Sequence, residues 1–324
     1  MEAYNSNGHN AFVPGNEPQV GSAVPDCRPD HSFVEDLCQA CSQGQLDEFK
    51  RLVTQWKSTR LVASAPPGPQ LLIATLEPVL CFAIRQHQTQ IVSYLLDEGM
   101  EVSVLAEVEA ADCKCDSSMW EVFLNHGWDI NNSHSAADAP ALGWVFYDID
   151  VVRWFLSHGA DPNAEARYGW TPWLRAVVWA PLEIVKLLHE AGGRLDLAVP
   201  YVCFGLANRR NAHKYPDRLE VLRYLLDNGA DINARMWSHN HYGRSSHFDC
   251  GSALNIALLG GQDEIAEELL SRGARTDIAA EERLASNTAL EYAKQGAPHL
   301  LPKVEDYRRR ELPEEAKKAD SSSP

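Results

Sequence analysis

GWTPWLRAVVWAPLEIVKLLHEAGGRLD, residues 169–196, divides into two short amphipathic segments with marked beginnings and a marked end. Thr171 is a good helix N-cap, and Pro172 takes the first helical position, where its missing N–H costs nothing. Pro181 opens the second segment in the same way. Ile184, Val185, Leu187 and Leu188 give that segment one apolar face. Gly192 follows the last turn, where a left-handed backbone position is needed and glycine adopts it without strain. A helix pair this small cannot bury its own stripe, so copies of it must stack on one another.

A glycine in the same register recurs at Gly99, Gly127, Gly159, Gly192, Gly229 and Gly273, with spacings of 28, 32, 33, 37 and 44 residues. The eighth residue before each is apolar: Ile91, Met119, Val151, Ile184, Val221 and Ile265. So is the fourth: Leu95, Phe123, Phe155, Leu188, Leu225 and Leu269. Ala83, Ala176 and Ala257 lie 16 residues before their glycines, small residues where two helices must approach closely. The period centres on roughly 33 residues.

Over about residues 76–295 the chain resembles the ankyrin-repeat family. The family's Thr-Pro-Leu-His-x-Ala motif is matched by Thr171-Pro172-Trp173-Leu174-Arg175-Ala176 and by Ser252-Ala253-Leu254-Asn255-Ile256-Ala257. A further copy is Thr288-Ala289-Leu290-Glu291-Tyr292-Ala293. The Leu-Leu-x-x-Gly-Ala-Asp-x-Asn ending is matched from Leu225 to Asn233 and from Phe155 to Asn163, and more loosely from Phe123 to Asn131. Leu174, Asn255 and Glu291 replace the motif's histidine. The resemblance implies an all-α ankyrin-repeat solenoid of stacked helix-turn-helix units with protruding finger loops.

The expected organisation is a disordered N-terminal arm over 1–30, an array over 31–300, and a charged, disordered tail over 301–324. Within the array, residues 31–75 read as a capping repeat followed by a Pro-rich loop. Residues 76–296 read as about six repeats and a terminal half-repeat. The third repeat, about Ala106–Gly127, has the weakest pattern, and Trp154 and Trp173 fall at positions marked as buried.

A formal charge of −16 argues against binding a phosphate backbone, which needs a basic surface. The longest apolar stretch, Leu71–Ile84, is broken by Glu77 and Pro78 and is too short to span a bilayer. Eight scattered cysteines fit reduced thiols. The expectation is a monomeric protein of the cytoplasm, with the nucleus as the alternative compartment, that binds neither nucleic acid nor membrane.

The resemblance places partners on the concave face made by the fingers and first helices. Carried over by position, it points to Arg167, Tyr168 and Trp170 on one finger and to Arg235, Met236 and Trp237 on the next. Arg, Tyr and Trp are the residue types that most often dominate interface energy. The competing reading is that Tyr168 and Trp170 only pack over neighbouring fingers.

The longer finger also collects His239, His241, His247, Asp249 and Cys250, donor types that suit zinc. No paired-cysteine signature accompanies them, so no metal or other cofactor is assigned. Cys38 and Cys41 have redox spacing but fall within a helix pattern. Arg308-Arg309-Arg310 is flanked by Glu305, Asp306 and Glu311 and reads as a solvated segment. No phosphate loop, nucleophile elbow or zinc helix is present, so the chain is not expected to be an enzyme. The function expected is a non-enzymatic protein–protein interaction scaffold or adaptor for an unidentified partner. The alternatives are a regulatory inhibitor that covers an enzyme's or transcription factor's own site, and a metal-dependent module centred on residues 239–250.

Overall fold

The computed structural model describes residues 29–60, 69–133, 138–204, 217–236, 251–279 and 288–311. Among these residues the regular elements are all helical, and the one sheet-like feature is an isolated antiparallel bridge between Arg235 and Ser252. The helices come in pairs. α1 (His31–Ser42) and α2 (Leu46–Arg60) form the first. After the short α3 (Pro69–Ala74) come α4 (Glu77–Arg85) with α5 (Thr89–Asp97), and α6 (Val104–Asp112) with α7 (Ser117–Asn125). A single 3-10 turn, Ala141–Trp144, stands before α8 (Ile149–Ser157). The later pairs are α9 (Pro172–Trp179) with α10 (Leu182–Glu190) and α11 (Ala198–Phe204) with α12 (Arg218–Asp227). Then come α13 (Ala253–Gly260) with α14 (Asp263–Ser271), and α15 (Ala289–Gly296) with α16 (Leu301–Glu311).

First helices pack on first helices in chain order, α1 on α4, α4 on α6, then the 3-10 turn, α9, α11, α13 and α15. Second helices form a parallel layer in which α2 meets α5, α5 meets α7, α7 meets α8, and α10, α12 and α14 follow one another. The core is the seam between the layers. All six residues at the eighth position before the glycines are buried, and all six at the fourth are fully so. Each buried Leu, Ile or Phe contributes roughly 1.5–3 kcal/mol, so the repeated stripe is the main source of stability. Ala83, Ala176 and Ala257 are also fully buried where the layers meet. The six glycines all have φ between 82° and 103°, the left-handed position that ends α5, α7, α8, α10, α12 and α14.

A side-chain bridge repeated at three finger roots ties each of these to the next. Asn131 donates from Nδ2 to the Gly159 carbonyl at 2.9 Å and accepts from the Asp161 N–H at 2.7 Å. Asn163 does the same with Gly192 and the Arg194 N–H, at 2.8 and 3.1 Å. Asn233 accepts from the Arg275 N–H at 2.8 Å. Asn131 and Asn163 use both halves of the amide, and Asn233 its oxygen, to satisfy main-chain groups of the next repeat.

Three expectations change. The third repeat is regular, because Ser103 and Asp116 cap its helices by accepting from the N–H groups of Ala106 and Ser118. The reduced repeat is the fourth, whose first helix is only the 3-10 turn. Pro140 precedes that turn, and Gly143 within it lies so close to α9 that a Cβ there would meet Arg175 at 3.0 Å and Pro172 at 3.4 Å. The tail expected from Leu301 begins instead as α16, which completes the terminal half-repeat. Val304 is buried, and Lys303 pairs with Glu267 of α14 at 2.8 Å. Sequence pattern misses this helix because its exposed faces are strongly polar, as suits the outside of a stack. Trp154 is half-buried rather than core and stacks on His158 with centroids 4.2 Å apart.

Candidate functional site

The finger between α8 and α9 is anchored before it is decorated. Thr171 caps α9 by accepting from the Leu174 N–H at 3.0 Å, and Trp173 donates its main-chain N–H to the Pro162 carbonyl at 2.8 Å. The buried Trp173 indole reaches the Arg194 carbonyl at 2.7 Å. At the tip, Ala166 N–H donates to the Trp170 carbonyl at 2.9 Å and Gly169 turns the chain with φ 86°. This hairpin presents Arg167 and Tyr168 to solvent, Tyr168 with 43% of its surface exposed.

Trp170 is half-buried, at the edge of an aromatic cluster built from two first helices. Its ring stacks on Trp179 with centroids 5.5 Å apart, meets Tyr201 edge-on at 5.6 Å and lies 5.8 Å from Phe204. The Arg175 guanidinium sits 4.9 Å from the Trp179 ring centroid while its Nε donates to the Gly143 carbonyl at 3.0 Å. Such contacts add about 0.5–1.5 kcal/mol each beyond area burial. The packing reading of Trp170 is therefore part of the truth: one side of the ring supports the finger, and the rest remains accessible.

On the next finger Arg235 is exposed, but Met236 is buried at 1% and points into the core. Met236 is accordingly removed from the candidate contact residues. Its N–H donates to the Gly251 carbonyl at 2.9 Å, which pins the finger's base next to the Arg235–Ser252 bridge. Trp237 and the donor residues His239, His241, His247, Asp249 and Cys250 lie outside the described residues. Among the described residues, no group of three or more His, Cys, Asp or Glu side chains is arranged to hold a metal ion.

Three of the described thiols, Cys41, Cys115 and Cys203, are buried packing groups. Burial pushes Cys41 up to about 11, and Cys115 and Cys203 up to about 12, away from the thiolate that nucleophilic chemistry needs. Cys115 lies 3.6 Å from His87 Nδ1, yet its sulfur is fully enclosed and also 3.7 Å from the Ile84 carbonyl. That geometry ties the turn after α4 to the turn after α6. Nearby, Glu109 receives two hydrogen bonds from Arg85 at 2.8 Å, which hold its carboxyl below the usual range.

No protein-family model matches the chain. An alignment of 117 positions that covers 33% of the chain is 26% identical to alpha-latrocrustotoxin-Lt1a of Latrodectus tredecimguttatus. The match takes in 7% of that toxin's length. No helix among the described residues is long and apolar enough to cross a membrane.

One surface feature has no counterpart in the sequence pattern. Large apolar side chains are exposed at three described positions: Leu105 at 55%, Val108 at 38% and Tyr168. The first two are one helical turn apart on α6. A periodicity search discards them, because it looks for the buried stripe and treats other apolar residues as noise.

Proposed function

We propose that the chain is an ankyrin-repeat array acting as a non-enzymatic scaffold, which holds a partner protein on the face formed by its first helices and fingers. The paired helices, the glycine in left-handed conformation at the end of six units, and the asparagine bridges between finger roots support the ankyrin reading. The observation that carries the binding role is the 164–170 finger: a rigid root, an exposed Arg167 and Tyr168, and a half-open Trp170 backed by aromatic rings. Pre-ordered aromatic and arginine side chains lose little entropy on docking, which is what a recognition surface requires. The working compartment under this reading is the cytoplasm or nucleus, and the working unit is one chain.

The test is affinity capture from native lysate with wild type and an Arg167→Glu/Tyr168→Ala double variant as baits. Retained proteins are identified by mass spectrometry and their stoichiometry is measured. A protein held at one-to-one ratio by wild type and lost by the folded variant supports the reading. Retention of the same proteins by both baits moves the contact away from this finger. No retained protein with either bait removes the scaffold role.

A further inference from the structure

We propose that the exposed face of α6, continued by α4, docks a cationic amphipathic helix of a partner protein; this rests on the scaffold reading above and names the surface and the partner's chemistry. The first-helix layer is not uniform. In its later part, α11 is buried from Ala198 to Cys203 and α13 from Ala253 to Leu258. In the earlier part the corresponding face is open. Cys81 and Phe82 of α4 are half-exposed, Arg85 is exposed, and α6 presents Leu105 and Val108. A scaffold can therefore be read directly on α4 and α6, whereas α11 and α13 offer little apolar surface to it.

Three features define the occupant. Leu105 and Val108 are spaced i, i+3, so they form a short ridge that an apolar stripe of similar spacing on a second helix can straddle. The element beside α6 in the layer is the four-residue turn Ala141–Trp144 rather than a helix of full length, so this side of α6 has a shorter neighbour than the α4 side. The charge around the ridge is negative. Arg85 and Glu109 neutralise each other through two 2.8 Å hydrogen bonds, which leaves Glu77, Glu101 and Asp112 on α4, α6 and its N-terminal flank against Lys114, three carboxylates to one cation. Apolar contacts at the centre with lysine or arginine at the rim complement this surface; an acidic helix meets like charge.

The probe is a fluorescently labelled synthetic helical peptide with leucine along one face and lysine on the other, compared by anisotropy with its glutamate-for-lysine counterpart. Two variants separate the contributions: Leu105→Ser/Val108→Ser removes the ridge, and Glu101→Lys/Asp112→Lys reverses the rim. The Arg167→Glu/Tyr168→Ala finger variant is the comparison. Far-UV circular dichroism and the urea midpoint establish that each is folded. The lysine peptide is expected to bind wild type in a salt-dependent manner and the glutamate peptide to bind at least about tenfold more weakly. Each α6 variant is expected to lose about tenfold or more in affinity for the lysine peptide, and the finger variant to match wild type.

The inference is overturned if the serine variant binds as wild type does, since attraction to an acidic protein then suffices. It is also overturned if both peptides bind equally, or if neither binds. Loss of binding in the finger variant with the serine variant unaffected overturns it too, while leaving the scaffold reading in place on the 164–170 finger.

Discussion

Arg218, near the start of α12, donates from Nη1 to the Val177 carbonyl of α9 at 2.6 Å, across 41 residues of chain. Its Nη2 donates to the Ala180 carbonyl and to Asp217 Oδ1, the latter at 3.0 Å, and Asp217 Oδ2 accepts the Leu182 N–H at 2.9 Å. The turn between α9 and α10 leaves carbonyls open at one helix end and N–H groups open at the next. In other repeats a left-handed residue shapes this turn: Gly44, His87, Lys114 or Gly261. Here Ala180-Pro181 cannot do so, and the buried Arg218 with the half-buried Asp217, both from the following repeat, supplies the missing partners. Arg218→Met is therefore expected to cost about 3 kcal/mol, because it strands two carbonyls and a carboxylate. Arg218→Lys should recover less than half of that loss, since an ammonium cannot reproduce the planar fork. Urea midpoints at constant slope measure both, and equal stability of Lys and Arg would refute the fork geometry.

The same pair predicts an acid-sensitive contribution. Burial pushes the Asp217 carboxyl up, but the hydrogen bond and charge of Arg218, with the Leu182 N–H, outweigh it and hold the group below its ordinary value. A carboxylate with a depressed folded-state pKa stabilises above its unfolded value of about 3.9, and that contribution fades as pH falls through the folded value. The stability difference between wild type and Asp217→Asn should thus be constant above about pH 5 and shrink below about pH 4. Denaturant titrations across that range decide it. A difference that widens on acidification would show the carboxyl to be raised instead.

The periodic part of the fold was legible because it is written in local code. An apolar residue eight and four before a glycine specifies a buried stripe and a left-handed stop within one unit, and Ile184, Leu188 and Gly192 behave accordingly. What the pattern could not deliver depends on partners distant in sequence. Nothing local distinguishes Arg218 from a solvated arginine, because Val177 and Ala180 belong to the preceding repeat. Met236 looked like a finger residue until the fold turned it inward, whereas Arg167 and Tyr168 are exposed as their loop position suggested. The exposed pair on α6 is illegible in the sequence for the opposite reason. Apolar residues outside the stripe gain meaning only once burial shows that the rest of the layer is closed.

Two glycines separate conformational demand from close approach. Gly192 has φ 103° and nothing within 4 Å of where a Cβ would sit, so Gly192→Ala should cost only the backbone term of about 1–2 kcal/mol. Gly296 ends α15 against α13, where a Cβ would stand 2.2 Å from the Leu258 carbonyl oxygen and 2.3 Å from that of Leu259. No side chain can yield there, so α15 must move. Gly296→Ala is expected to be the more damaging substitution, with faster amide hydrogen exchange concentrated in α15 and α16. Equal costs with uniform exchange would mean that α15 slides freely on α13.

Tyr168 and Trp170 lie two residues apart on one finger and should answer to different assays. Tyr168 is exposed at the tip, so Tyr168→Ala should change stability by no more than about 0.5 kcal/mol. Trp170 supports the finger through Trp179, Tyr201 and Phe204. Its truncation should cost about 2 kcal/mol, below the 3–5 kcal/mol typical of a fully buried tryptophan. Far-UV helicity should survive in both variants, because each of the helix pairs retains its own stripe. If the finger is the docking surface, partner affinity falls in both variants, and the loss in Tyr168→Ala occurs with no thermodynamic shadow. The decisive comparison is binding to the captured partner against the urea midpoint for the two variants side by side. Loss of binding that tracks loss of stability, present for Trp170→Ala and absent for Tyr168→Ala, would reduce the finger to a structural brace.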